Sequence, residues 1–252
     1  MKLEHALSAM SIGIALSTAP AAANAQGHMG AASEAAPYGA PVDDQHVWMH
    51  AILDRFEGRF GGQNSLRWGG EAWTGTDTHR LWLKSKGEIE SGKVAAGQHE
   101  ILYDTPISAY FDLQAGLRYD LDRYAGRGWA AVGVEGLAQY FFYVSATAYA
   151  SDTGHYGAKL FGSYDLPITQ RLILQPEMVL TLYTKADPKR LVGAGFSDLD
   201  VGLRLRYEIS RKFAPYIGVT YEKKFSQTGR LAAAAGEKTD AVRLALGVRS
   251  WF

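Results

Sequence analysis

The sequence predicts an all-β protein: a transmembrane antiparallel β-barrel of about twelve strands, preceded by a disordered N-terminal arm. Three features predict it: an apolar leader, side chains that alternate between apolar and polar from about residue 51, and a final amphipathic segment ending in Trp251 and Phe252. A strand places alternate side chains on opposite faces, so each segment has one apolar and one polar face. A sheet in hydrocarbon must close, because an open edge would leave backbone groups unpaired.

The composition narrows the function classes. The 252 residues include 26 basic and 26 acidic side chains, and this balance argues against nucleic-acid binding. There is no cysteine, which excludes a disulfide framework and a thiolate metal site. The mildly negative mean hydropathy resembles that of a soluble protein. Alternating strands of a membrane barrel give the same average, so this value does not exclude the barrel.

The first 25 residues have the pattern of a secretory signal peptide. An uncharged run, Ala6–Ala22, leads into the small-x-small pattern Ala23-Asn24-Ala25, which predicts cleavage before Gln26. An N-terminal membrane anchor or a buried helix is the alternative. Pro20 and the cleavage pattern favour the signal peptide, so we expect the mature chain to leave the cytoplasm.

Twelve segments with period two follow the arm. Between residues 199 and 209, the odd positions are Leu, Val, Tyr or Ile and the even positions are Asp, Gly, Arg or Glu. Each segment is close to the roughly 9–11 residues that a tilted strand needs to cross a bilayer. The predicted strands are 52–60, 66–74, 79–89, 98–105, 111–120, 128–136, 141–149, 156–165, 172–183, 197–209, 213–224 and 241–252.

The connections and the aromatic residues favour a membrane barrel over a soluble sandwich or a lipocalin-like barrel, which also alternate. Short connections alternate with longer ones, and the longer ones are predicted at 90–97, 121–127, 184–196 and 225–240. Short periplasmic turns opposite longer outer loops are typical of outer-membrane barrels. Aromatic residues near strand ends suit interfacial girdles. Those residues are Trp68, Tyr119, Trp129, Tyr140, Tyr164, Tyr207, Tyr216 and Trp251.

Residues 26–50 are rich in Ala, Gly and Pro, which predicts a flexible periplasmic arm before a barrel at 51–252. This arm holds three of the seven histidines and two of the five methionines. Imidazole suits copper and zinc, and thioether favours Cu(I). Two clusters, Gly27–Gly30 and His46–His50, are therefore candidate metal sites, although such short clusters also arise without any ligand. The candidate ligands are His28, Met29, His46, Met49 and His50.

The polar faces of the predicted strands carry many charges of both signs. These side chains either pair with one another and fill the lumen, or line a narrow polar path or a cation site. A hard or borderline cation would need oxygen ligands. The carboxylates considered for such a lumen site are Glu57, Glu71, Glu177, Asp198 and Asp200.

The sequence predicts no catalytic site. It contains neither G-x-S-x-G nor H-E-x-x-H. Ser151, Asp152 and His155 lie too close together in one short loop to suggest a triad. His79, His99 and His155 are interpreted as ordinary surface or lumen residues.

Six sequence blocks follow one another between about residue 47 and the C-terminus: Leu53–Glu57, Arg80–Glu88, Asp112–Asp120, Thr169–Pro176, Gly202–Ile209 and Phe213–Val219. In this order they resemble the copper resistance protein B family. The resemblance implies an outer-membrane barrel of copper tolerance, usually encoded with a periplasmic multicopper oxidase. Family members typically carry a longer Met- and His-rich arm than this chain has.

The expected function is therefore copper binding at the outer membrane, which contributes to copper resistance by sequestration or export without catalysis. The alternative is a porin-like passive channel for small solutes. Expected partners are outer-membrane lipid, copper ions as cargo and a periplasmic multicopper oxidase, with no nucleic acid.

Overall fold

The computed structural model describes residues 46–123 and 126–252. The predicted leader and most of the predicted arm, including His28 and Met29, lie outside these residues. Within the described ranges, no helix is both long enough and apolar enough to cross a membrane.

Twelve long strands and one two-residue strand, β9, make up the sheet. The first strand begins at Trp48, so the strand structure starts before the predicted boundary at residue 51. The strands are β1 Trp48–Phe60, β2 Ser65–Gly75, β3 Arg80–Glu90, β4 Lys93–Pro106, β5 Phe111–Asp120, β6 Arg127–Leu137, β7 Tyr143–Ser151, β8 Tyr156–Ser163, β9 Leu166–Pro167, β10 Leu172–Tyr183, β11 Gly195–Tyr207, β12 Phe213–Lys224 and β13 Asp240–Trp251.

The sheet closes on itself. Neighbouring strands pair antiparallel in chain order, β8 pairs with β10, and β13 returns to pair with β1. At the seam, Ala51 N–H donates to the Phe252 carbonyl over 3.2 Å and Phe252 N–H donates back over 2.8 Å. The predicted twelve-stranded antiparallel barrel is confirmed, and closure removes the unpaired edges that hydrocarbon would not tolerate.

The two faces of the wall have opposite chemistry. Glu57 and Arg59 in β1 point inward and are fully buried. Leu117 in β5 and Val219 in β12 point outward and are 68% and 50% exposed. A soluble sandwich would bury its apolar face and expose its charges. The charged interior and apolar exterior therefore match a barrel surrounded by lipid.

The barrel has two different ends. The end that holds the start of β1 and the finish of β13, here called the terminal mouth, has the connections 76–79, 107–110, 138–142, 164–171 and 208–212. The opposite end, here called the loop mouth, has the connections 61–64, 91–92, 121–126, 152–155, 184–194 and 225–239. The last of these contains helix α1, Ser226–Ala234. Two 3-10 turns, Gln139–Phe141 and Pro188–Arg190, complete the elements.

The predicted long connection at 90–97 is wrong. The chain reverses at Ser91 and Gly92, which have φ values of 50° and 74°, and β4 begins at Lys93. A register shift follows Glu88. Small residues in the run Val94-Ala95-Ala96-Gly97 carry too little polarity contrast to show the period of two.

Three aromatic residues predicted for the girdles point into the lumen instead. Trp129 and Tyr216 are only 5% and 8% exposed. Trp251 shares the inward face of β13 with Arg249 and stacks on inward-facing His50. A position near a strand end fixes depth in the membrane but not the face, which depends on strand parity. Tyr119, Tyr140 and Tyr207 are 50%, 79% and 47% exposed, as a girdle requires.

Candidate functional site: the lumen and its two mouths

Glu57 lies at the centre of the lumen. Its carboxylate accepts hydrogen bonds from Arg59 Nε over 2.8 Å and from Arg204 Nε and Nη2 over 2.9 and 3.0 Å. The Tyr216 hydroxyl donates a further bond over 3.0 Å. Arg204 and Tyr216 come from β11 and β12, so this carboxylate ties the first strand to the last part of the chain. A buried carboxylate needs such pairing to offset its lost hydration.

The pairs continue around the same side of the barrel. Arg204 Nη1 lies 2.5 Å from Glu177 Oε1, and Arg55 donates to the other Glu177 oxygen over 2.6 Å. Arg59 also reaches Glu222, and Arg67 donates to Asp200. These contacts join the inner faces of β1–β2 to those of β10–β12, on either side of β13.

A smaller polar cluster fills the opposite side. Lys84 in β3 donates to Glu135 over 2.7 Å and to Gln114 over 2.9 Å. The Gln114 amide donates to Glu135 over 2.6 Å and to Asp104 over 3.0 Å. All four side chains are buried. Together the two clusters occupy the middle of the described barrel with bridged charges.

A row of aromatic rings lines the inner wall at the terminal mouth, on the neighbouring strands β13, β1, β2 and β3. The imidazole of His50 lies between Trp251, with centroids 5.7 Å apart, and Trp73, at 6.3 Å. Trp82 continues the row at 6.1 Å from Trp73. The Trp251 indole N–H donates to the Arg211 carbonyl. Stacked rings of this kind add stabilisation beyond their buried area.

The loop mouth is closed by connections that bond to one another. Arg127, at the start of β6, donates to Asp187 over 2.6 Å, and Arg190 donates to Asp122 over 2.6 Å. Burial raises the pKa of Asp187, but the hydrogen bond from Arg127 and the nearby positive charges outweigh it, so the pKa is lowered. Beneath these contacts lies a cavity of about 230 Å³. We call it the chamber; its lining includes Arg118, Trp129, Tyr183, Asp198 and Thr228.

Helix α1 is fixed to the wall beside the chamber. Gly193 N–H donates to Thr228 Oγ1 over 2.8 Å, and the Ser197 and Thr228 hydroxyl oxygens lie 3.0 Å apart. Thr228 is 3% exposed and Ala232 is fully buried. A side chain at Gly193 would place its Cβ 2.4 Å from the Thr228 nitrogen, so only glycine permits this approach.

The structure separates the five predicted lumen carboxylates. Glu57, Glu177 and Asp200 are each paired with arginine. Asp198 accepts a bond from Ser197 over 2.5 Å and lines the chamber. Glu71 lies opposite Lys84 and has no ion pair within the described ranges. The five do not meet at one point, and a lumen cation site stays a prediction against which the arginine pairs argue.

The candidate metal ligands of the arm are only partly described. His46 is exposed and precedes β1. Met49 is 74% exposed, whereas its neighbour His50 points inward between two tryptophans. Adjacent strand residues face opposite ways, so Met49 and His50 cannot hold one ion together in this conformation. Among the residues that the structure covers, no group of three or more His, Asp or Glu side chains could hold a metal.

Sequence reasoning missed two features of the site. It assigned residues 225–240 to a loop, although the run Leu231–Ala235 has the residue types of a helix. It also missed the row of aromatic rings at the terminal mouth, which come from β1, β2, β3 and β13. The sequence does contain a signal for this row, since Trp73, Trp82 and Trp251 fall on the same face of their strands as the charged residues.

Two curated proteins are closely related to the whole described barrel. Copper resistance protein B of Escherichia coli is 40% identical over 215 residues, covering 85% of this chain and 73% of that protein. The copper resistance protein B homolog of Pseudomonas syringae pv. tomato is 39% identical with the same coverage. The family model described as copper resistance protein B precursor (CopB) matches residues 47–252.

Among solved structures, the porin NanC has a similar fold. It aligns with a TM-score of 0.54 at 12% sequence identity, covering 81% of this chain and 99% of NanC. At this identity the likeness concerns the porin-like barrel fold alone.

Proposed function

Because the chain belongs to the copper resistance protein B family, we propose that it protects against copper by holding the metal at the outer membrane, without acting as an open pore. Family membership and the barrel fold give it an outer-membrane location and a role in copper resistance. The relatives are named for resistance and not for a reaction, and the fold is not that of an enzyme family. The proposal therefore includes no catalysed step.

One observation carries the proposal: the middle of the described lumen is occupied by bridged charges. A passive channel for solutes needs a continuous hydrated path. Here Arg59 and Arg204 are buried and both donate to the buried Glu57 carboxylate, which joins β1 to β11 on the inside of the barrel. Breaking such a buried pair leaves an uncompensated charge, which costs about 3–5 kcal/mol. This cost opposes spontaneous opening and supports sequestration over permeation.

We assign the ligand role to the imidazole and thioether groups at the N-terminal side of the barrel. In a chain without cysteine, His and Met are the side chains that suit copper best. His28, Met29 and His46 lie before β1, while Met49 and His50 lie within it. Met49 and His50 face opposite sides, so in this proposal they serve separate ions or separate stages of capture.

Copper titration of the purified full chain tests this assignment. Replacing His28, Met29, His46, Met49 and His50 with Ala should lower the copper content and the affinity. His79→Ala and His155→Ala are matched controls, since they remove imidazoles from opposite ends of the barrel, and should leave both unchanged. Equal binding by the five-site variant and the parent would refute the arm as the binding site.

Two cell and bilayer measurements separate sequestration from the alternatives. A passive porin should conduct ions steadily in planar bilayers, whereas the filled lumen predicts no steady conductance. If the protein exports copper, a strain that lacks it should accumulate copper in the cell. If the protein sequesters copper, the same strain should hold less copper in its outer-membrane fraction.

A periplasmic multicopper oxidase remains a proposed partner on the family resemblance alone. Co-purification from membranes with and without residues 26–45 tests it.

A further inference from the structure

The loop mouth contains a segment that is held differently from its neighbours. The connection between β10 and β11 extends over residues 184–194. Its residues 184–192, here called the flap, fold back on themselves: Asp187 N–H donates to the Val192 carbonyl over 2.8 Å, and Val192 N–H donates to the Asp187 carbonyl over 3.1 Å. These two bonds make residues 187–192 a compact turn, while at the start of the flap Thr184 N–H donates to the Tyr156 carbonyl over 3.0 Å.

Two ion pairs hold the middle of the flap, at Asp187 and Arg190, to another part of the loop mouth. Asp187 bonds to Arg127 and Arg190 to Asp122, each over 2.6 Å. In the sheet, β7 and β8 separate these partners on β5–β6 from the flap on β10–β11. The two pairs therefore join distant parts of the rim, and the flap lies against the chamber, which Asp187 and Arg190 help to line.

The C-terminal end of the flap is followed by glycines about which the flap can turn. Gly193 is fixed to helix α1 through Thr228, and Gly195 has a φ of +89°, a conformation that favours glycine. Leu191 also has a positive φ of 57°. A movement of the flap about Gly193–Gly195 would break the two ion pairs and leave α1 in place.

We propose that the flap is a gate on the loop mouth, latched by Arg127–Asp187 and Asp122–Arg190, which controls entry of small hydrophilic solutes into the chamber. The rule that longer loops lie outside places this gate on the outer surface. The latch side chains are 12–19% exposed, whereas Glu57 and Arg59 are fully buried. Water can therefore reach the latch charges when the pairs separate, so opening the latch should cost less than breaking the buried pairs below it. The gate is independent of the proposed copper function, because it involves none of the assigned ligands.

A thiol-accessibility measurement tests the gate. The chain has no cysteine, so Asp198→Cys places a single thiol on the chamber wall. The full chain is refolded into lipid vesicles and treated with a small cationic methanethiosulfonate reagent. We expect slow labelling in this background and labelling about three- to tenfold faster after Asp187→Asn, in line with the modest strength of such pairs.

The matched control breaks an ion pair at the other end of the barrel. Asp165, whose side chain is 48% exposed, accepts a bond from Arg206 over 2.8 Å at the terminal mouth. Asp165→Asn should leave the labelling rate unchanged. Equal rates with and without the Asp187→Asn change would overturn the proposal, and so would an equal acceleration by Asp165→Asn.

A second measurement avoids the chamber thiol, in case Asp198→Cys does not fold. Amide hydrogen exchange of the otherwise native chain is compared with that of Arg127→Ala. If the flap is a gate, amide exchange in Arg127→Ala should be about three- to tenfold faster within residues 184–192 and unchanged in residues 226–234 of α1. Unchanged exchange in the flap, or equal acceleration in α1, would overturn the gate.

Discussion

The ion pairs in the middle of the lumen and those at the loop mouth use the same residue types in very different surroundings. Arg59 and Glu57 are fully buried, whereas the side chains of Arg123 and Glu237 are 47% and 33% exposed. Coulomb attraction is stronger at low dielectric, but each buried charge has also lost its water. The buried pairs are therefore hard to break from one side, while a mouth pair as exposed as Arg123–Glu237 separates easily. The difference separates a fixed plug, formed by Glu57, Arg59, Arg204 and Tyr216, from the more exposed ion pairs at the rim of the loop mouth.

Removing a shared partner from the plug should give the largest effect. Glu57→Ala leaves Arg59 and Arg204 without their common carboxylate, and we expect a loss of about 3–5 kcal/mol in the free energy of unfolding. Urea unfolding in vesicles, followed by heat-modifiable migration on gels, measures it. Asp165→Asn is the exposed control. Similar midpoints for these two variants would show that the buried plug is not stronger than a surface pair.

Removing one hydrogen bond to the same carboxylate should have a smaller effect. Tyr216→Phe deletes the 3.0 Å bond to Glu57 but keeps both arginine contacts. We expect a loss of about 1.5–3 kcal/mol in the free energy of unfolding, because the acceptor is a carboxylate. Tyr207→Phe, on the 47% exposed outer face, serves as the control and should change stability less. If both tyrosine variants behave alike, the hydroxyl does not contribute to the plug.

The barrel was predictable because its signal is local. The alternation of Leu and Val with Arg, Asp and Glu in residues 199–209 sets which face each side chain takes, and the structure agrees. The candidate lumen charges were found in the same way. Trp129 and Tyr216 were misplaced because the prediction used their position along the strand and did not ask whether they lie on the inward or the outward face.

The pairing inside the barrel could not be predicted from local signals. Glu57 and Arg204 are separated by 147 residues, and their contact depends on which strands face each other across the closed barrel. The flap and α1 depend on contacts between connections, such as Gly193 with Thr228. A single sequence does not give the register of those contacts.

Acid should weaken the half of the latch that Asp187 forms with Arg127. The pKa of Asp187 is lowered in the folded chain, so its contribution is present above the ordinary value of about 3.9 and is lost only as the pH falls through the lowered value. Arg127, His155 and Arg190 are the charged groups that face this carboxylate. A spin label at Lys189→Cys should stay immobile from neutral pH down to about 4 and gain mobility below it.

The Asp187→Asn change supplies the control for the acid experiment. In that background the label at position 189 should be mobile throughout the same range, because position 187 no longer carries a carboxylate that can titrate. A transition near neutral pH in the parent would instead implicate another group and separate the flap from its assigned latch.

The ion pairs of Arg123, which are the most exposed of those compared, should contribute least to the free energy of unfolding. Arg123 lies 3.2 Å from Glu90 and 3.4 Å from Glu237, and Arg123→Ala should cost less than about 1 kcal/mol of unfolding free energy. Raising the salt from about 0.1 M to about 1 M shortens the screening length from roughly 10 Å to 3 Å, so this small difference should disappear. Lys93→Ala, at an exposed position of the same mouth, is the control. The Glu57→Ala effect should persist at both salt concentrations, because buried pairs are screened much less. A loss from Arg123→Ala that stays constant in salt would place this pair with the plug instead of the rim.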